Sequence, residues 1–365
     1  MLKLSVATAK GRRNTAGCIK LAVFFLFCLN FFTACPLNAS GIDSELFPFV
    51  TGGKLYSFNP QSQNSDNLIQ YDFFNMADGF TQNATCPSKK KGYILAWNQK
   101  KQRLYHIAGQ KLVSNVELKA SLVYAGQNYI LAQSSSFADN KGFSFTLYSI
   151  KYSLNGRKIK LRSLWSGYAD CFVSDFFFTG DGLYLAGGNR DNSKNNVFYI
   201  SDKGIHKCFS VAKNSDFLRL IKTEKGKDDS YLYAFLSGRE KNAAQPLIYK
   251  FNPETYAEGE DPSSQIDLSA DSLLPAGFEC FFGYGFYAEK IILPASIDGI
   301  INFISYDTDS GKITALIPDA VGCVAPLASK AEGTYYIARD PLIEGSWYGI
   351  ALFTGSECKK ITKFF

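Results

Sequence analysis

Histidine and methionine are almost missing from this chain, with two of each in 365 residues. His106 and His206 stand 100 positions apart, and neither has a serine-nucleophile motif beside it. Both therefore read as structural or surface histidines. There is no C-x-x-C, which removes thioredoxin-like chemistry and zinc ribbons. There is no H-E-x-x-H, no G-x-x-x-x-G-K-[ST] and no G-x-S-x-G, so zinc peptidase, phosphate-loop and α/β-hydrolase readings lack their residues. Gly283-Tyr284-Gly285 is two glycines between aromatics and not a dinucleotide loop. No cofactor is expected. A lasting charge surplus is missing too. Residues 1–34 hold five of the 39 basic residues and no acid, leaving 34 against 33 acidic residues. Phosphate neutralisation needs a basic surplus on the folded domain, so a nucleic-acid partner is not expected. Sustained helical periodicity and heptads are absent.

What the chain does have is a core-forming composition, 46% hydrophobic and 15% aromatic. It opens with a positive segment, then the apolar run Leu21–Phe32, twelve residues interrupted by Cys28 and Asn30. A bilayer span needs about 20 apolar residues. The run is too short for that and fits the hydrophobic part of a secretory signal. Arg12-Arg13 is followed by Asn14-Thr15, without the hydrophobic residue that twin-arginine export expects. Phe32-Thr33-Ala34-Cys35 follows the run directly. Small residues before a cysteine at this place resemble the lipobox of bacterial lipoproteins, in a relaxed form with Phe32 where leucine is usual. The resemblance covers residues 1–35 and implies cleavage before Cys35 and acylation of that residue. The alternative is ordinary cleavage near Leu37-Asn38-Ala39. Each buried methylene of a lipid chain contributes about 0.8 kcal/mol, so two or three chains hold a domain to one leaflet. The expected organisation is a signal over 1–34, lipidated Cys35 with a tether to 43, and one domain over 44–365. The expected location is exported, lipid-anchored to the cell or outer membrane, facing the periplasm or the surface.

Two patterns repeat along the domain. The first is a short apolar stretch usually ending in alanine: Tyr93–Ala96, Tyr129–Ala132, Leu183–Ala186, Tyr231–Ala234, Ile291–Pro294 and Tyr335–Ala338. Most copies are followed within about fifteen residues by an aliphatic–aromatic stretch running into a polar turn. Leu104–Ile107, Leu147–Ile150, Val197–Asp202, Leu247–Pro253, Ile301–Asp307 and Tyr348–Phe353 are such stretches, and Leu55–Pro60 is an earlier copy. β-Branched and aromatic runs bounded by Gly, Asn, Ser and Lys read as buried strands. Four strands in about 45 residues is one propeller blade. The fold expected is an all-β propeller with seven blades, or six with an N-terminal extension. The first unit is incomplete, because Leu46–Val50 reads as a second strand with nothing before it as a first. Tyr306–Lys312 resembles the hairpin between third and fourth strands in many propeller families. Its alternating carboxylates, Asp307 and Asp309, lack the remaining ligands of a calcium loop. Stacked twisted sheets need large side chains between them, which accounts for the aromatic content, including Trp97, Trp165 and Trp347.

Cys86, Cys171, Cys208, Cys280, Cys323 and Cys358 lie beyond the anchor region. Cys171, Cys280 and Cys323 occupy equivalent first-strand positions. Equivalent positions in stacked sheets are about 10 Å apart, too far for a disulfide, so most of the six read as buried thiols. The loops joining second to third strands are strongly polar: Ser134–Lys141, Asn189–Asn196, Gly238–Gln245 and Arg339–Glu344. In a propeller they converge on one rim. Asp139, Lys141, Asn189, Arg190, Asp191, Arg239, Lys241, Arg339 and Asp340 are the candidate binding residues on that rim. The acidic Pro253–Ser272 belongs to the opposite side. The function expected is an envelope lipoprotein whose propeller binds a protein or glycan partner, like the lipoprotein propellers that scaffold outer-membrane protein assembly. The rivals are a glycan hydrolase or lyase and a quinone-dependent dehydrogenase.

Overall fold

The computed structural model describes residues 46–51, 54–60, 68–71, 79–138, 141–191, 193–212, 217–225, 229–237, 247–251, 264–267, 279–280, 285–287, 290–297, 300–307, 310, 312–316, 322–330, 332–339, 348–354 and 357–364. All regular structure in them is β, gathered into seven small antiparallel sheets that follow one another along the chain. Sheet 1 has three strands, Phe47–Thr51, Lys54–Phe58 and Leu68–Gln70. Sheet 2 is Phe80–Pro87, Tyr93–Asn98, Arg103–Ala108 and Lys111–Glu117. Sheet 3 is Leu122–Ala125, Tyr129–Ala138, Gly142–Tyr152 and Ile159–Ala169. Sheet 4 is Phe172–Phe178, Gly182–Gly188, Lys194–Ser201 and Gly204–Ala212. Sheet 5 is Phe217–Lys225, Asp229–Ser237, Leu247–Phe251 and Ser264–Asp267. In sheet 6, Glu279–Cys280 and Gly285–Tyr287 both pair with Lys290–Ile297, which is followed by Ile300–Asp307 and Ile313–Leu316. Sheet 7 is Gly322–Lys330, Gly333–Arg339, Tyr348–Phe353 and Cys358–Lys363.

In sheets 2 to 5 and 7 the alanine-ending stretches fall in the second of four strands and the aliphatic–aromatic ones in the third; Ile291–Pro294 and Ile301–Asp307 lie in adjoining strands of sheet 6, and Leu55–Phe58 in the middle strand of sheet 1. Neighbouring sheets bury their side chains on one another. Trp97, Leu95 and Leu104 of sheet 2 share a core with Val123, Ile130 and Ile150 of sheet 3. Tyr124, Leu131 and Leu147 of sheet 3 share one with Phe176, Leu183 and Phe198 of sheet 4. Each such side chain taken fully from water contributes about 1.5–3 kcal/mol, so the inter-sheet seams carry much of the folding free energy. Trp97 is fully buried and its Nε1–H donates to the Leu118 carbonyl at 3.0 Å. That is a packing role. Cys86, Cys171 and Cys208 are buried, and Cys358 is half-buried. Burial pushes the Cys171 thiol up, with the nearby Asp170 charge adding to it. Asp307 to Lys312 forms the expected hairpin, with Asp307 N–H donating to the Lys312 carbonyl at 2.9 Å and Ser310 N–H to Asp307 Oδ1 at 2.9 Å.

Sheet 1 packs on sheet 2 and also on sheet 7. Phe49, Tyr56 and Phe58 share a core with Leu327, Tyr335, Ile337 and Ile350. Phe364 stacks on Phe49 at 5.2 Å and meets Tyr348 edge-on at 4.9 Å. Thr51 Oγ1 and Tyr348 OH lie 2.7 Å apart. These contacts fix the direction of Phe47–Thr51. Its end lies beside the start of the third strand of sheet 7, so it runs as second strands do, and no strand precedes it among the described residues. Its free edge is blunted. Tyr71 N–H reaches Leu55 O from the far side, so Val50, opposite Leu55, turns its own N–H away from its partner strand. That N–H donates to Gln82 Oε1 at 2.8 Å, and two residues earlier Pro48 has no N–H to offer.

Candidate functional site

The ends of the sheets define two faces. The top carries the turns between second and third strands and the links between sheets. The bottom carries the turns between first and second and between third and fourth strands. At the top of the junction between sheets 3 and 4, apolar rings are left in water. Tyr168 is 46% exposed and Phe172 51%, although both lie in strands. The link Tyr168-Ala169-Asp170-Cys171-Phe172 buries Ala169 and Cys171 and turns the two rings out on either side. Phe143 meets Phe172 edge-on at 5.0 Å, and the Lys141 ammonium lies 5.7 Å from the centre of the Tyr168 ring. Across the link, Arg190 N–H donates to Asp170 Oδ1 at 2.9 Å.

Two glycines allow this approach. Gly142 has φ +92°, and a Cβ there would stand 2.2 Å from the Ala169 carbonyl oxygen. A Cβ on Gly187 would stand 2.0 Å from the Phe172 carbonyl oxygen. Either side chain would push the link away from its neighbours.

The structure brings four of the candidate binding residues to this junction: Lys141, Asn189, Arg190 and Asp191. Asn189 and Asp191 close their own turn. Asn189 Oδ1 accepts from the Ser193 and Lys194 N–H groups at 3.0 and 2.9 Å, and Asp191 Oδ1 accepts from the Ser193 hydroxyl at 2.6 Å. Hydrogen bonds from Ser193, side chain first and then backbone, hold the Asp191 carboxyl below its usual range. Both residues shape the loop, and the Arg190 side chain is exposed on it. Asp139, Arg239, Lys241 and Asp340 lie outside the described residues, as do Cys35, Trp347 and most of Pro253–Ser272. Arg339 ends the second strand of sheet 7. One expectation changes: Ser134–Lys141 is mostly strand, because Gly142–Tyr152 pairs with it as far as Ala138. The rings Phe143, Tyr168 and Phe172 were missed, since in sequence they resemble core positions of strands.

The described residues also hold a serine–histidine pair. His106 Nδ1–H donates to the Arg157 carbonyl at 3.1 Å, which leaves Nε2 to accept from the Ser88 hydroxyl at 2.9 Å. Tyr152 stands edge-on to the imidazole at 5.8 Å and donates to the Gln127 carbonyl at 2.9 Å. Burial pushes the histidine pKa down, against the pull of the Arg157 carbonyl, and the Lys90 charge adds to the lowering. Ser88 and His106 are both fully buried, so a substrate has no access to the hydroxyl. The pair ties sheet 2 to sheet 3. Among the described residues no group of three or more His, Cys, Asp or Glu is placed to hold a metal ion.

No protein-family model matches the sequence, and no curated protein matches it. Solved structures do match the fold. A functionally unknown protein from Desulfotomaculum acetoxidans superposes with TM-score 0.51 at 12% identity, over 88% of this chain and 95% of that one. Puromycin hydrolase gives TM-score 0.51 at 12% identity, over 90% of this chain and 56% of that one. The β-propeller domain of the trilobed protease from Pyrococcus furiosus gives 0.47 at 13% identity, over 92% and 97%. This chain spans about half the length of the acylaminoacyl peptidases that it also matches. The fold is all-β, in small antiparallel sheets that follow one another along the chain. At these identities the likeness extends to the fold alone.

Proposed function

We propose that the seven sheets are seven blades of one ring spanning 44–365, closed where sheet 7 packs on sheet 1, and that its top face is a binding surface for a protein or glycan partner. The exposed rings of Tyr168 and Phe172, flanked by Lys141 and Arg190, carry this reading. Large rings held in water by a rigid frame offer stacking area at little entropic cost, and the neighbouring cations and amides supply hydrogen bonds. Acylation of Cys35 holds the protein at a membrane of the cell envelope. Phe47 pairs with Phe58 at the bottom of sheet 1, so the chain leading from Cys35 arrives on the bottom face and leaves the top face free.

The test is crosslinking in cells followed by recovery of partners, comparing the natural chain with Tyr168→Ser/Phe172→Ser. Recovery of an envelope protein or glycan that falls at least tenfold in the variant supports the reading. Equal recovery, or none from either, overturns it. Mass spectrometry of the mature N-terminus tests the anchor: an unmodified Cys35 removes that part. A second reading, a hydrolase, draws on the likeness to peptidase and hydrolase chains; turnover of peptides or glycans by the purified protein is its test.

A further inference from the structure

The bottom of the junction between sheets 2 and 3 gathers positive charge. Ser88-Lys89-Lys90-Lys91-Gly92 joins the first two strands of sheet 2, Gly109-Gln110-Lys111 turns into its fourth, and Ser153–Lys158 joins the third and fourth strands of sheet 3. None of these segments contains an acid. They are locked together: Lys90 Nζ donates to the Asn155 carbonyl at 2.6 Å, and the Ser114 hydroxyl donates to the Arg157 carbonyl at 3.0 Å, beside the His106 bond to the same oxygen. Lys89, Lys91, Lys111, Arg157 and Lys158 are exposed around this knot.

Among them projects an apolar tip. Leu154 is fully exposed, with a relative accessibility of 111%, the highest of the exposed large hydrophobic side chains among the described residues. Its turn is rigid. Gly156 N–H donates to the Ser153 carbonyl at 2.7 Å, the Ser153 hydroxyl to Asn155 Oδ1 at 2.7 Å, and Lys158 N–H to Ser153 Oγ at 2.9 Å. Gly156 sits at φ +66°, which favours glycine at that corner. Leu154 is therefore held out among cations.

We infer that this surface rests on an anionic lipid bilayer, with Leu154 entering the headgroup region and the surrounding lysines and Arg157 meeting lipid phosphates. Basic side chains around a protruding apolar one match the charge and polarity profile of a lipid surface. A soluble polyanion offers nothing to the leucine. The placement agrees as well. The chain reaches Phe47 on this same bottom face, adjoining sheet 2, so an anchor ahead of residue 46 brings this face to the membrane and not the top one. The inference deepens the anchoring reading, yet it stands on described residues alone.

The test uses the full mature chain with Cys35→Ser, which removes the acylation site and leaves the patch. Flotation is measured with vesicles of phosphatidylcholine alone and of phosphatidylcholine mixed with phosphatidylglycerol. Binding to the anionic vesicles only, falling as salt is added, is expected. Lys89→Gln/Lys91→Gln/Arg157→Gln should weaken it about 100-fold, near a factor of four to five for each charge removed. Leu154→Ser should weaken it severalfold, and Lys141→Gln/Arg190→Gln on the top face should leave it unchanged. All four positions in the bottom-face variants are exposed, so unchanged thermal unfolding is expected of each. Equal binding to neutral vesicles, absence of binding, or an equal loss in the top-face variant overturns the inference. So does binding of soluble heparin as tight as that of vesicles and indifferent to Leu154→Ser. An unmodified natural Cys35 with intact vesicle binding would remove the lipid anchor and leave this contact standing.

Discussion

Two junctions between neighbouring sheets use polar and aromatic residues in opposite ways. Between sheets 2 and 3, near the bottom, polar groups go inside: Ser88, His106 and Tyr152 satisfy one another and nearby carbonyls in a seam closed to water. Between sheets 3 and 4, at the top, apolar rings go outside, and Tyr168 and Phe172 stay in water although buried positions lie one or two residues away. A buried polar network that is fully paired specifies how two sheets dock and does no chemistry. Exposed rings on a rigid frame add little to docking, here the edge contact of Phe143 with Phe172, and are available to a partner. The contrast separates residues that join sheets from residues left exposed on them.

The comparison breaks most visibly at His106. His106→Ala removes the acceptor of the Ser88 hydroxyl, leaves the Arg157 carbonyl with the Ser114 hydroxyl and opens a cavity, so a loss of about 3 kcal/mol is expected, read as a lower urea midpoint at unchanged slope. A fall within experimental error would move the seam to the other side of the contrast. Next comes the contact between sheets 7 and 1. Phe364→Ala removes the ring stacked on Phe49 and edge-on to Tyr348, and a loss of about 2 kcal/mol should follow in the same measurement. Acid gives a smaller effect. Burial holds the folded His106 pKa below the usual 6.5, so the unfolded chain takes up this proton first as pH falls. Stability from this residue is complete above 6.5 and is lost below it, at up to about 1.4 kcal/mol per pH unit until the folded value is reached. Thermal scans of the natural chain and His106→Gln between pH 7 and pH 5 check this, and parallel curves would contradict it. The smallest stability change belongs to the exposed pair. Tyr168→Ser and Phe172→Ser should each stay within about 0.5 kcal/mol of the natural chain while partner recovery falls.

Much of the fold was legible because second and third strands repeat a simple alternation of aliphatic and aromatic residues. First strands were not. Phe80–Pro87, Phe172–Phe178 and Gly322–Lys330 all carry register shifts against their neighbours, which scramble the two-residue period. The incomplete first sheet was visible as a missing run, but its sealed edge was not, since Gln82 closes it from 32 residues away. Lys141 and Arg190 were found because polar loops announce themselves. Tyr168 and Phe172 were hidden, because a ring next to Ala169 or Cys171 looks like core until the facing sheet shows where it points. His106 carried no sign of its role: Ser88 and Arg157 are 18 and 51 residues distant.

Hydrogen exchange of the full chain, in detergent and in bilayers containing phosphatidylglycerol, tests the division of labour between the two faces most directly. The bilayer should slow exchange in 88–92 and 153–158 and leave 168–172 and 189–193 as fast as in detergent. Slowing confined to 168–172 and 189–193 would place the opposite face on the membrane and contradict the account.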